Sequence, residues 1–137
     1  MIRKATLKDA LSIQLLISTG EYEGVLLYRS LSEIKKLISN FIICEEKGQI
    51  VGCIGLDQYT KRIGELRSLY VIPEYRRKGI ASLLIESALK RAKELGIYEI
   101  ITISDKEEIF KKCGFKEKIG KQKALFLRFD NKNKNIL

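Results

Sequence analysis

A chain of 137 residues has the length for one sheet-and-helix core, and with no histidine at all it excludes Ser-His-Asp and Cys-His nucleophile systems and histidine-ligated metals, so any general base must be a carboxylate, a tyrosine, a lysine or water. The composition, 45% hydrophobic and 31% charged, is that of a globular protein, and the formal charge of +9 favours an anionic ligand, an acidic substrate or nucleic acid without choosing among them. No apolar run approaches the ~20 residues of a membrane span, and the N-terminus Met-Ile-Arg-Lys-Ala-Thr lacks the apolar core of a signal peptide, which leads us to expect a cytoplasmic protein.

Ile2 to Ala5 reads as a short first strand. Thr6, with Asp9 three residues on, has capping-box spacing in front of the periodic Leu7, Ala10, Leu11, Leu15 and Leu16, predicting a helix to about Ser18. Gly20 to Tyr28 reads as a loop, and Ser30 with Glu33 as a second capping box that opens a helix carrying Ile34, Leu37 and Ile38. Arg29 thus stands at a helix entrance, and by itself it reads as a surface residue. Phe41 to Glu46 and Ile50 to Tyr59 are strand-like runs joined by the hairpin signal Lys47-Gly48-Gln49. Gly52 and Gly55, inside the second run, predict a bulge or a close backbone approach. Thr60 to Gly64 then turns into a central strand, almost unbroken in β-branched and aromatic residues from Leu66 to Ile72, which Pro73 ends. These three runs form an antiparallel meander.

Beyond a basic turn, Ile80, Leu83, Leu84, Ala88, Ala92 and Leu95 put an apolar stripe on a helix that Gly96 closes. Tyr98 to Ser104 is expected to be a buried strand, parallel to the central one because a helix joins them. Ser104 with Glu107 is expected to cap a short helix over Ile109 to Cys113, before a final strand pair at about Phe115 to Ile119 and Lys123 to Phe129. Residues 1–130 are read as one domain and 131–137 as a polar tail. Cys44, Cys53 and Cys113 are odd in number, form no C-x-x-C and lie in apolar segments, so buried free thiols are expected.

The turn Tyr75-Arg76-Arg77-Lys78-Gly79-Ile80-Ala81 carries the clearest chemistry. A strand that enters a helix through a small-residue turn leaves the first N–H groups of that helix unpaired, at the positive end of its dipole. With three basic side chains beside them, these donors make an anion site, and Gly79 lets the backbone approach a phosphate closely. The alternative reading of the same residues is a solvated basic loop.

Arg76-x-x-Gly79-x-Ala81, after a strand ending Leu69-Tyr-Val-Ile-Pro73 and before about four turns of helix, resembles the acetyl-CoA-binding motif of the GNAT superfamily of N-acetyltransferases. The order β-α-α-β-β-β-α-β-α-β-β is that of the family's α/β fold, whose central parallel strands splay around the cofactor. Arg3, Ala5, Asp9 and Phe110 to Phe115 carry the likeness further. Leu26 to Ser30, Val51-Gly52-Cys53, Leu56 to Tyr59 and Glu65 to Leu69 together resemble the acetyltransferase domain of N-acetylglutamate synthases. The amino-acid-kinase-like domain that many such synthases carry is not in this sequence, so its arginine feedback is not carried over.

The resemblance implies an acyltransferase in which an amine attacks acetyl-CoA directly, with no metal. It implies pyrophosphate contacts from Arg76, Arg77, Lys78, Gly79, Ile80 and Ala81, and contacts to the pantetheine arm from the backbone of Leu69, Tyr70 and Val71. Glu65 corresponds to the base, acting directly or through water; without the resemblance it reads as a strand-edge carboxylate paired with Arg67 or a lysine. Many members have a tyrosine four residues before the Gly-Phe pair as thiolate acid, but Phe110 stands there. Ser104 matches a residue proposed for that role in bacterial synthases, beside its reading as a plain helix cap. Arg29, Leu27 and Ser68 fall at acceptor-binding positions, Arg29 for a carboxylate, with a second cation to come from Lys121, Lys123 or Arg128. The expected acceptor is therefore an acidic amino acid, foremost L-glutamate in arginine biosynthesis, with no nucleic-acid or membrane partner and with a homodimer left open. Two other classes stay in view: an acetyltransferase for a protein N-terminus, a lysine or a polyamine, and a non-catalytic basic module that binds nucleic acid or protein.

Overall fold

Five strands lie side by side in chain order in the computed structural model, which describes residues 1–129: β1 (Ile2–Lys4), β2 (Phe41–Glu46), β3 (Gln49–Gln58), β4 (Ile63–Val71) and β5 (Glu99–Thr102). The expected tail over 131–137 lies outside the described residues. β1 to β4 are antiparallel, and β5 joins β4 in parallel. The parallel pairing follows from α3 (Ile80–Glu94), which returns the chain across one face of the sheet. The other face carries α1 (Ala10–Tyr22), packed on β3, β4 and α2 (Leu31–Lys36). A short α4 (Glu107–Lys112) and a separate hairpin, β6 (Lys118–Ile119) and β7 (Gln122–Lys123), complete the expected mixed α/β order.

Each face of the sheet has its own core. Leu56, Leu66, Leu69 and Val71 meet Ile80, Leu84, Ile85, Ala88 and Ala92 of α3, whereas Ile43, Cys53 and Tyr70 meet Ile13, Leu16 and Ile17 of α1 and Ile34 of α2. Strand alternation alone cannot send both Leu66 and Leu69 to the α3 side, since an odd step reverses the face. A bulge solves this. One residue of β3, Ile54, faces two of β4, Ser68 and Leu69, between the pairs Cys53–Tyr70 and Gly55–Arg67. Ser68 takes a φ of +62°, and its carbonyl accepts from the Cys53 thiol at 3.3 Å. Glu65 and Arg67, before the bulge, therefore point to the α1–α2 side together with Asp57, the cross-strand partner of Glu65.

Several expectations change. α1 runs through Gly20 to Tyr22, a turn beyond Ser18, and buries Ala10, Ile13, Leu16, Ile17 and Gly20. Leu7, Leu11 and Leu15, read as part of its inner stripe, are exposed. The leucines mislead because the helix turns its small and β-branched residues inward, and at Gly20 a Cβ would meet Leu26 Cδ1 at 2.5 Å. β5 is not a buried strand: among the described residues nothing pairs with its outer edge, and Ile101 and Ile103 are exposed. The final strands are two residues each, and 124–129 has no regular structure. Cys44 and Cys53 are buried free thiols as expected, but Cys113 is only half-buried.

Candidate active site

β4 and β5 pair from Ile63–Glu99 to Leu66–Thr102, and there the pairing stops, although β4 continues to Val71. Thr102 closes the paired part by donating its hydroxyl to the Leu66 carbonyl at 2.9 Å. Past this point, among the described residues, no strand pairs with the β5-facing backbone edge of Arg67 to Val71, which leaves a cleft between the two parallel strands. Because α3 follows β4 through Pro73 to Gly79, its N-terminus sits at the same end. Unpaired peptide groups on a strand edge and unpaired N–H groups at a helix start therefore flank one space.

The turn into α3 needs two left-handed residues, Arg77 at φ +63° and Gly79 at φ +83°. Gly79 is the N-cap and has no side chain to bond the helix N–H groups, and a Cβ built there meets nothing within 4 Å. The donors of Ile80 and Ala81 thus face open space at the positive end of a 15-residue helix, the setting that binds phosphate. Arg76 turns inward: its Nε donates to the Val71 carbonyl at 2.8 Å and its guanidinium lies over the Tyr70 ring. Tyr70 in turn donates to Glu23 Oε2 at 2.7 Å, and burial, then that carboxylate, raise its phenol above the usual range. Arg76 therefore braces the turn although its side chain is still 44% exposed, and Lys78, over the Tyr75 ring, and Arg77 are exposed as well. These residues fit the pyrophosphate and pantetheine of coenzyme A.

On the α1–α2 side of the split, charges collect. Arg29 is fully buried rather than a surface residue. Its Nη2 donates to both Asp57 oxygens at 3.0 and 3.3 Å, its Nε to Glu33 at 2.6 Å and its Nη1 to Ser68 Oγ at 3.3 Å. Room for this guanidinium comes from Gly55, where a Cβ would lie 3.3 Å from Nη1 and 3.0 Å from the Phe41 ring. Arg67 Nη1 donates to Asp57 Oδ2 at 2.9 Å, so Asp57 is held between two guanidinium groups. Glu65, only 8% exposed, is hydrogen-bonded to no arginine among the described residues; it accepts the hydroxyl of Tyr59 in a short hydrogen bond. The Tyr59 ring is half exposed, but its hydroxyl end is turned in, and burial of that end with the Glu65 carboxylate pushes the phenol up to about 12. Tyr59 thus stays a donor through the neutral range, and Glu65 is the carboxylate of the cluster held by a neutral partner.

The structure brings Glu65, Ser68 and Arg29 together beneath the mouth of the cleft, with Leu27 half-exposed in the α1–α2 connection. Arg67 pairs with Asp57 and not with Glu65. Ser104 does not cap α4, whose N-cap is Lys106; the exposed hydroxyl accepts from the Lys106 N–H at 2.9 Å. Phe110 is a core residue packed edge-on against Phe115. Lys121 and Lys123 are exposed on the hairpin and Arg128 beyond it. Asp57 and Tyr59 had no assigned role in the sequence. Their signal was available, two polar groups two residues apart at the end of an otherwise apolar strand. Among the described residues no cluster of three His, Cys, Asp or Glu has metal-binding geometry, and no helix is long and apolar enough to cross a membrane.

Residues 11–115 match the model of the acetyltransferase (GNAT) family. The chain is 37% identical over 116 residues, 85% of its length and 75% of the relative's, to an uncharacterised N-acetyltransferase of Chlorobaculum tepidum. It is 29% identical over 142 residues to an amino-acid acetyltransferase of Mannheimia succiniciproducens, covering 99% of this chain but only 32% of that one, so it spans about a third of that relative's length. The N-acetylglutamate synthase of Neisseria gonorrhoeae, solved with coenzyme A and N-acetyl-glutamate, superposes with a TM-score of 0.78 at 31% identity, covering 85% of this chain and 28% of that one.

Proposed function

This chain belongs to the acetyltransferase (GNAT) family of acetyl-CoA-dependent N-acetyltransferases, and on that premise we propose that it acetylates the α-amino group of a free amino acid, foremost L-glutamate, as a step of arginine biosynthesis in the cytoplasm. The observation that carries the reading is Glu65: a buried carboxylate beside the point where β4 and β5 part, bonded to a neutral phenol while its neighbour Asp57 is neutralised by two arginines. A carboxylate tied to a guanidinium is a poor proton acceptor. Glu65, hydrogen-bonded to no guanidinium among the described residues, takes the amine proton directly or through a water. Acetyl-CoA supplies an activated acyl carbon. The N–H groups of Arg77 to Ala81 hold its pyrophosphate, and the unpaired edge of Leu69, Tyr70 and Val71 aligns the pantetheine arm and polarises the carbonyl. Ser104, which accepts from Lys106 and keeps its own proton, returns a proton to the departing thiolate. Leu27 and Ser68 bound the acceptor pocket, and Arg29 holds Ser68 and Asp57 in place beneath it. The amino-acid acceptor is supported by the named relative and by the synthase structure.

The test is a screen of acetyl-CoA consumption by the purified chain against L-glutamate, other amino acids, spermidine, a lysine peptide and a protein N-terminal peptide. Glutamate is expected to react fastest at equal concentration, and a faster polyamine or peptide would refute the acceptor. In the same assay Glu65→Gln should lower kcat by ~10² or more with acetyl-CoA affinity kept. Wild-type turnover of that variant across the pH range would show that water alone serves as base.

A further inference from the structure

We propose that Arg67 is the residue that selects an acceptor bearing a carboxylate next to its amine, an assignment that rests on the amino-acid acceptor proposed above. Two buried-side cations flank Asp57, but they differ in what remains available. Arg29 has no exposed side-chain surface, and its Nε, Nη1 and Nη2 are all bonded, to Glu33, Ser68 and Asp57. Arg67 keeps 26% of its side-chain surface, and among the described residues only its Nη1 is engaged, by Asp57. Asp57 therefore holds Nη1, while Nε and Nη2 carry no hydrogen bond among the described residues and are not fully buried. A guanidinium fixed on one side and open on the other is suited to take a carboxylate through two parallel hydrogen bonds.

Its position suits the chemistry. Glu65 and Arg67 are two residues apart on one strand and face the same side, which puts their Cα atoms about 7 Å apart. In an α-amino acid one carbon separates the amine from the carboxylate. A substrate whose amine meets Glu65 thus carries its carboxylate toward Arg67, right where β5 leaves β4 and opens the approach. A lysine side chain has no such carboxylate, and a polyamine would bring a second positive charge instead. Arg67 is then a specificity-determining residue, with Asp57 and Arg29 as the positioning groups behind it.

The experiment compares kcat/KM for the preferred α-amino acid and for the amine that lacks its α-carboxylate, L-glutamate against 4-aminobutyrate, in the wild type and in Arg67→Met and Arg67→Lys. Arg67→Met keeps most of the side-chain volume and should lower the ratio of acid over amine roughly ten- to a hundredfold, chiefly through KM for the acid. Arg67→Lys, with the charge but not the fork, should lower it less. Acetyl-CoA affinity by calorimetry reports whether each variant is folded. If the wild type favours the acid and Arg67→Met lowers both substrates equally or neither, Arg67 only steadies Asp57 and the inference is overturned while the amino-acid reading stands. If the wild type favours the amine without the α-carboxylate, both fall.

Discussion

Arg29 shows how much of a residue's role lies outside its own neighbourhood. Its type and its place before Ser30 suggested a surface cation or a ligand for substrate, yet it is a fully buried group whose main counter-ion, Asp57, is 28 residues away. Removing Arg29 takes one of two guanidinium groups from the buried Asp57 and leaves Arg67 on it, so the cost stays below that of a wholly unpaired buried charge, at about 2–3 kcal/mol. Arg29→Ala is accordingly expected to lower unfolding free energy by about that amount in a denaturant titration. Its effect on acceptor KM must therefore be measured below the onset of unfolding. A loss under about 1 kcal/mol, the range of exposed pairs, would mean that the guanidinium is not committed to Asp57 in solution.

At the level of elements, the turn into α3 was the most legible part of the molecule because every feature of it is local. Pro73 stops β4, Gly79 takes the left-handed φ, and the periodic Ile80, Leu84 and Ala88 hold the helix on the sheet. Gly79→Glu is expected to abolish acetyl-CoA binding in calorimetry, since a carboxylate placed where the first helix N–H groups point repels phosphate. The left-handed φ adds a stability loss of about 1–2 kcal/mol. Gly79→Ala carries that strain without the charge, so similar affinities for the Ala and Glu variants would show that the turn does not meet the pyrophosphate. By contrast the inner stripe of α1 is only partly as expected: Ala10 and Leu16 are buried, but Leu7, Leu11 and Leu15 face out. Leu7, Leu11 and Leu15 are as periodic as Ala10, Ile13 and Ile17, and only the shape of the sheet beneath decides which stripe packs.

Across the whole molecule, Arg3 links the first strand to its surroundings. It donates to both Asp9 oxygens at 2.8 and 3.0 Å and to Glu45 on β2 at 2.9 Å, while Asp9 completes the capping box with Thr6. The Arg3 guanidinium, helped by the Thr6 N–H, holds the Asp9 carboxyl down at about 2, against 3.8 for a free group. A lowered carboxylate stabilises the fold above its unfolded value, and that stabilisation is lost as pH falls through the folded one. With Arg3 about a third exposed, the contribution at pH 5 to 7 is about 1–2 kcal/mol. Unfolding curves for the wild type and Asp9→Asn should differ by this amount at pH 5 and converge between pH 4 and 2. A gap that persists near pH 2 would place the effect in packing rather than in the ion pair.

From the chain alone came the order of elements, the basic glycine turn into α3, the hairpin at Lys47-Gly48 and the close approaches at Gly52 and Gly55, since turn chemistry and period are written in neighbouring residues. Glu65 could be singled out as well, but not its partner. Four things needed the tertiary structure: the bulge at Ser68 that turns Glu65 and Arg67 to one side, the end of β4–β5 pairing at Leu66–Thr102, the division of counter-ions that gives Asp57 two arginines and Glu65 a phenol, and the burial of Arg29. Each depends on the register between strands and on contacts tens of residues apart, and pairwise packing of that kind leaves no periodic trace in the sequence.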